Sequence, residues 1–122
     1  MLHGCKTGDA KLTKGYRLPA RYVIHTVGPV WQGGGKGEAE LLASCYRRSL
    51  EIALGHDCRT IAFPAISTGI YRFPKDEATG IAIDTVSHFL RQNAVPDVVT
   101  FCCFDEQTAE IYRRAVAGTR ED

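Results

Sequence analysis

The residue types best suited to chemistry lie in one segment, residues 67–74, which reads Ser-Thr-Gly-Ile-Tyr-Arg-Phe-Pro. An apolar run precedes the segment and a run with helical spacing follows it, so it is predicted to join the end of a strand to the start of a helix. Backbone N–H groups at a helix N-terminus lack intrahelical partners, and the helix dipole is positive there. The segment, which we call the ligand loop, therefore predicts a site for a phosphate-bearing ligand.

The side chains of the ligand loop agree with this chemistry. Gly69 has no Cβ, so a phosphate oxygen can approach the main chain closely. Ser67 and Thr68 add hydroxyl donors, and Tyr71 offers a flat ring and a hydroxyl that could lie over a sugar. An ordinary strand-to-helix turn with a strain-relieving glycine gives the same pattern, because short glycine-containing loops are common. Composition alone leaves both interpretations open.

Three strand-then-helix units are predicted to position the ligand loop. Apolar, β-branched and aromatic runs indicate the strands, and apolar residues at helical spacing indicate the helices. The strands are expected at residues 22–27, 60–66 and 98–104, and the helices at residues 38–54, 74–93 and 105–117, with a further short strand within residues 11–17. This alternation favours parallel strands joined by right-handed crossovers. The second and third strands are nearly all apolar, as in strands covered on both faces.

Local signals mark the ends of the helices. Gly55 fits the end of the first helix, and Pro74 suits the first helical position of the second. Asp105 is predicted to cap the last helix. In the first helix, the spacing predicts a buried face formed by Leu42, Cys45, Tyr46, Ser49, Leu50 and Ala53.

Composition limits the classes of protein that remain. The chain has 122 residues, which is the size of one domain, and 44% of them are hydrophobic. No segment approaches the run of about 18 apolar residues that a membrane span needs, and the first residues do not resemble a secretion signal. The five cysteines form no C-x-x-C pair, which predicts reduced thiols, no metal site and a cytoplasmic protein.

Charge is uneven along the chain. Residues 1–36 contain six of the 15 Lys and Arg residues but one of the 14 acids. Such a basic segment could attract a phosphate-bearing ligand or RNA. Because the basic residues are spaced rather than clustered, we interpret them as a solvated face and expect no nucleic-acid partner.

Several motifs together resemble the macro domain family. Residues 64–74 resemble the second ligand loop of macro domains, and residues 4–10, 15–20 and 25–31 follow the same family's order and spacing. The resemblance runs from residue 4 to about residue 116, and several motifs in the correct order make it specific. Macro domains are three-layer α/β/α sandwiches around a mixed sheet, so the resemblance implies an α/β fold with a mainly parallel sheet.

The resemblance also implies a ligand and an activity. Macro domains bind ADP-ribose, and MacroD-type members hydrolyse ADP-ribosyl esters on acidic protein side chains and O-acetyl-ADP-ribose. The expected partners are these ligands, with no additional cofactor. The residues expected to hold the diphosphate and distal ribose are Ser67, Thr68, Gly69, Ile70 and Tyr71. Phe104 occupies the place of the aromatic residue that stacks on adenine in similar proteins.

The sequence departs from the family pattern at its beginning. The opening strand with its adenine-contacting Asp, the Asn-Ala-Ala-Asn motif and the following glycine-rich loop do not occur, and residues 33–35 follow the wrong strand to replace that loop. We expect one partial, N-terminally truncated macro domain over residues 1–122, lacking on the order of 40–50 residues. The family's hydrolytic residues lie mainly in that part, so no catalytic residue is assigned. Uncovered edges and faces predict a homo-oligomer.

Three functions remain open at this point. The chain is a de-ADP-ribosylating hydrolase, an ADP-ribose-binding module without catalysis, or an inactive truncated remnant that oligomerises. Other enzyme classes find no support, because the motifs G-x-S-x-G, G-x-G-x-x-G and the P-loop are absent from the sequence. His25 is interpreted as a packed strand residue, and Trp31 as a loop anchor rather than a binding aromatic.

Overall fold

Strands and helices alternate along the chain as the sequence predicts. The computed structural model describes residues 7–8, 10–14, 22–67, 71–103 and 105–119. Within them the strands are β1 (Ala10–Lys14), β2 (Tyr22–Thr26), β3 (Thr60–Pro64) and β4 (Val98–Cys102), and the helices are α1 (Glu38–Gly55), α2 (Lys75–Gln92) and α3 (Glu106–Thr119). Pro74 directly precedes α2 instead of occupying its first position.

The described strands form two sheets of two strands each. β1 and β2 are antiparallel, with Ala10 opposite Thr26. β3 and β4 are parallel, with Thr60 opposite Val98, and α2 connects them as the alternation predicts. Among the described strands, β2 pairs with β1 and not with β3. Strands that follow each other in sequence need not be hydrogen-bonded neighbours.

The buried face of α1 is the centre of the core. All six residues that the helical spacing predicts for this face are buried: Leu42, Cys45, Tyr46, Ser49, Leu50 and Ala53. α1 contacts β1 and β2 on one side and α2 on another. The helix therefore joins the β1–β2 sheet to the rest of the fold through side-chain packing.

A chain of aromatic rings attaches the helices to the β3–β4 sheet. Tyr46 of α1 lies 5.0 Å from Phe63 of β3, measured between ring centroids. Phe63 stacks on Phe101 of β4 at 6.2 Å, and Phe101 lies 4.9 Å from Tyr112 of α3. Because alternate residues of a strand point to opposite faces, the stacked rings of Phe63 and Phe101 lie on one face of the sheet. α1 and α3 therefore both pack on that face. Burial and the neighbouring Tyr112 raise the pKa of Tyr46 above its usual range.

The opposite face of the β3–β4 sheet is exposed. Phe63 is buried, but Thr60, Ala62 and Pro64 on the other face of β3 are not. The corresponding residues of β4 are also exposed, including Val98 at 53%. The prediction that both strands are covered on both faces is therefore wrong for the described chain, because its helices pack on one side. None of these helices is long and apolar enough to span a membrane.

Candidate functional site

The ligand loop turns back on itself at the carboxyl end of β3. The N–H group of Phe73 donates to the carbonyl oxygen of Ser67 at 2.9 Å, which closes the loop. Ser67 and Arg72 have φ angles of 67° and 63°, a region that non-glycine residues seldom adopt. Thr68, Gly69 and Ile70 lie outside the described residues, so their predicted contacts with a ligand stay predictions.

The hydroxyl of Ser67, at the end of the segment that follows β3, is buried. The residue is 9% exposed, and within the described structure no group pairs with its hydroxyl. An unpaired buried hydroxyl is costly, so such groups call for an explanation. A polar ligand group at the ligand loop is one physical explanation.

The segment after β2 packs directly against the ligand loop at Gly28. A Cβ atom at this position would overlap the hydroxyl oxygen of Ser67 and would lie 2.5 Å from Cγ2 of Ile66. Only glycine permits this approach. The carboxyl ends of β2 and β3 therefore meet, although the two strands are not hydrogen-bonded to each other.

Trp31 holds the other end of the ligand loop. Its backbone N–H donates to the carbonyl oxygen of Tyr71 at 2.8 Å. Its ring lies 4.8 Å from the ring of Phe73, which is 1% exposed. These contacts are those of a loop anchor, the interpretation that the sequence favours for Trp31. Tyr71 itself is partly buried.

Glu38, the first residue of α1, is a buried carboxylate, whereas the sequence predicts only that it lies at the start of a helix. Burial acts to raise its pKa, but hydrogen bonds from the backbone N–H groups of Gln32, Gly34, Lys36 and Glu38 itself outweigh burial and lower the pKa from 4.5 to about 2. In the sequence, the signal that points to Glu38 is an acidic residue directly after a glycine-rich segment. Its burial depends on three-dimensional packing that the pattern does not reveal.

The region predicted for adenine stacking is described on both sides of Phe104. Phe104 itself lies outside the described residues, so its role remains a prediction. Asp105 accepts a hydrogen bond from the N–H of Thr108 at 2.8 Å, which lowers its pKa and confirms it as the cap of α3. The ammonium group of Lys75 lies 3.5 Å from the carboxylate of Asp105. This ion pair bridges the N-termini of α2 and α3 at the surface.

A shallow groove on α1 does not coincide with the ligand loop. It has a volume of about 600 Å³ and is lined by Lys36, Gly37, Glu40, Leu41, Ala43 and Arg47. It contains none of the predicted site residues. Among the described residues, no three His, Cys, Asp or Glu side chains are close enough to hold a metal ion.

Replacing Gly28 with alanine tests the contact between β2 and the ligand loop. Because the new methyl group would overlap Ser67 and Ile66, we expect the Gly28→Ala change to lower the free energy of unfolding by about 1–3 kcal/mol. Urea denaturation followed by circular dichroism measures this loss. Gly35→Ala is the matched control, because a Cβ there contacts nothing within 4 Å. Equal stability of the two variants would contradict the close approach.

The lowered pKa of Glu38 predicts a specific dependence of stability on pH. A carboxyl whose pKa falls on folding stabilises the folded state above its unfolded pKa and loses that contribution as the pH falls through its folded pKa. The stability difference between the wild-type chain and Glu38→Gln should therefore be complete above pH 4.5 and should shrink towards about pH 2. Urea denaturation of both proteins across this range measures the difference. A difference that does not change with pH would contradict the assignment.

Comparison with known proteins agrees with the motifs and the fold. The model of the macro domain family matches residues 1–82. A macro domain-containing protein of Mesorhizobium japonicum is 73% identical over 121 residues, covering 99% of this chain and 69% of that protein. An O-acetyl-ADP-ribose deacetylase of Klebsiella pneumoniae is 53% identical, covering 93% of this chain and 65% of that protein. The chain thus spans about two thirds of the length of these relatives.

Solved structures give the same result. A macrodomain mutant of Oceanobacillus iheyensis superposes with a TM-score of 0.90 at 40% identity, covering 96% of this chain and 62% of that one. A Trypanosoma brucei macrodomain in complex with ADP-ribose superposes with a TM-score of 0.85 at 43% identity, covering 93% of this chain and 47% of that one. The expected macro-type α/β fold is confirmed. The chain belongs to the macro domain family.

Proposed function

We propose that this chain recognises ADP-ribose through its ligand loop, and that its family activity is the hydrolysis of ADP-ribosyl esters and O-acetyl-ADP-ribose. The observation that carries the proposal is the position of the loop between the end of β3 and the first turn of α2. N–H groups at the start of a helix favour an anion such as a diphosphate. The hydroxyl of Ser67, which is buried and has no hydrogen-bond partner among the described residues, supports a polar ligand at this place.

The proposed contacts divide between two parts of the ligand. Five residues would hold the diphosphate and distal ribose: Ser67, Thr68, Gly69, Ile70 and Tyr71. Phe104 would stack on adenine from the end of β4. The ADP-ribose bound to the related Trypanosoma brucei macrodomain and the deacetylase name of the Klebsiella pneumoniae relative support this ligand class. The cellular partner would be an ADP-ribosylated protein or free O-acetyl-ADP-ribose, met in the cytoplasm.

A second candidate, binding without turnover, is favoured by the residues around the ligand loop. Hydrolysis needs a group that activates water, most often a carboxylate or an imidazole. The described residues of the ligand loop, together with Gly28 and Trp31 that contact it, include neither group. We therefore propose no catalytic residue, and the two candidates differ in whether bound ligand is turned over.

Titration calorimetry of ADP-ribose into the purified chain tests the proposal, with AMP and inorganic phosphate as comparison ligands. We expect ADP-ribose to bind more tightly than either, because it occupies both the phosphate and the ribose contacts. Gly69→Glu should abolish binding, since it adds a carboxylate against the diphosphate. Gly118→Glu adds the same charge at an open position in α3 and should leave the affinity unchanged.

The outcomes of this titration separate the candidates. Binding together with release of acetate from O-acetyl-ADP-ribose supports the hydrolase, and binding without turnover supports the binding module. A folded chain that does not bind ADP-ribose would overturn the proposal. An affinity that survives Gly69→Glu would place the phosphate site elsewhere.

We also propose that a second copy of this chain covers the exposed face of the β3–β4 sheet. Ala62, Pro64 and Val98 lie on this face, and exposed apolar sheet surfaces favour association. Val98 is the most exposed of the large hydrophobic residues on the described strands, at 53%.

Light scattering coupled to size exclusion measures this association. We expect a dimer or larger oligomer at micromolar concentration, and Val98→Lys should shift it towards the monomer because a charge would be buried in the contact. Val30→Lys is the matched control, since Val30 is 50% exposed and lies after β2 instead of on this face. A monomeric wild-type chain would contradict the proposal.

A further inference from the structure

One side chain organises the segment between β2 and α1. Residues 32–37 read Gln-Gly-Gly-Gly-Lys-Gly, and we call them the glycine loop. The Glu38 carboxylate accepts hydrogen bonds at Oε2 from the N–H groups of Gln32, at 2.8 Å, and Gly34, at 3.0 Å. Its Oε1 accepts the N–H of Lys36 at 2.6 Å. Glu38 is 2% exposed, so these backbone groups converge on a carboxylate shielded from water.

The glycine loop in turn lies against Trp31. Gly34 has a φ angle of 91°, and a Cβ at this residue would lie 3.0 Å from Cη2 of the Trp31 ring. The same ring packs against Phe73, and the backbone N–H of Trp31 donates to the carbonyl oxygen of Tyr71. A continuous set of contacts therefore runs from Glu38 through Gly34 and Trp31 to the ligand loop.

We propose that Glu38 is a positioning residue for the ligand loop, which it holds in place by fixing the glycine loop against Trp31. The effect on ligand affinity rests on the proposed recognition of ADP-ribose. The effect on the conformation of the ligand loop does not, because it follows from contacts within the chain. Glu38 itself need not touch the ligand.

The glycine loop requires a carboxylate at Glu38 because several of its backbone N–H groups donate to that one side chain. An ionised carboxylate accepts hydrogen bonds on both oxygens, whereas an amide has one accepting oxygen and an NH₂ group that only donates. In Glu38→Gln, the NH₂ group would face at least one backbone N–H of the glycine loop. The residues that carry these donors are exposed, but their N–H groups face the buried side chain of Glu38. A donor that loses its partner at that place is costly, so the glycine loop should leave its position although the side chain keeps its size.

The first experiment compares Glu38→Gln with Glu40→Gln by amide hydrogen exchange of the wild-type and variant chains. Glu40 lies in the same first turn and is exposed, so this control removes an equal charge. We expect Glu38→Gln to reduce the protection of the Trp31 and Phe73 amides, which donate to Tyr71 and Ser67. Trp31 is the only tryptophan of the chain, so its emission should shift to longer wavelength in Glu38→Gln alone.

The second experiment measures ADP-ribose affinity of the same variants by calorimetry. We expect Glu38→Gln to weaken binding about tenfold, the usual scale for losing a hydrogen bond to a charged group. Glu40→Gln should bind like the wild-type chain. If the wild-type chain does not bind ADP-ribose, the proposed function fails, and the exchange experiment alone decides whether Glu38 positions the ligand loop.

A second pair of variants guards against a Glu38 variant that fails to fold. Gly34→Ala presses a methyl group against Trp31, whereas Gly33→Ala has the same φ angle of 91° but contacts nothing within 4 Å. Gly34→Ala should reproduce the loss of protection at Phe73, and Gly33→Ala should not. Unchanged protection at Phe73 in both Glu38→Gln and Gly34→Ala would overturn the proposal. So would lost protection with unchanged affinity in a chain that binds ADP-ribose.

Discussion

Burial of one face of α1 is the constraint on which the described fold depends. The β1–β2 and β3–β4 sheets share no hydrogen-bonded pair of strands in this part of the chain. α1 contacts both strands of the first sheet, and its Tyr46 packs on Phe63 of the second. Side-chain packing against α1 therefore connects the two sheets, which in a continuous sheet would be connected by hydrogen bonds between strands. Because Glu38 begins the same helix, the position of α1 also decides where the glycine loop and Trp31 lie.

The ligand loop is restrained at both ends of its central residues by main-chain groups. Before them, the carbonyl oxygen of Ser67 accepts the N–H of Phe73; after them, the carbonyl oxygen of Tyr71 accepts the N–H of Trp31. Gly28 adds a close contact at Ser67. A loop whose ends are fixed before a ligand arrives loses less conformational entropy on binding. The geometry of the turn, rather than any one side chain, would then supply much of the affinity for the proposed ligand.

Much of this architecture could be predicted from local patterns. Helical spacing predicts the buried face of α1, and the position of Asp105 before α3 predicts its role as a cap. Contacts between distant segments could not be predicted in this way. Gly28 resembles any glycine at a strand end until Ser67 is placed beside it, and the first-turn acid Glu38 resembles a solvated residue. The apolar composition of β3 and β4 also did not reveal that one face lies open, because composition does not state which elements cover a strand.

The two adjacent free cysteines at the end of β4 differ in their chemical environment. Cys102 is exposed on the same face as Val98, whereas Cys103 is partly buried, and burial together with the neighbouring Cys102 raises the pKa of its thiol. Thiolates, not thiols, react with alkylating reagents. Two adjacent residues of identical chemistry therefore differ in reactivity, and of the two a fluorophore or spin label would enter Cys102 in preference to Cys103. Such a label would sit on the open face of the sheet and report directly on whatever comes to cover it.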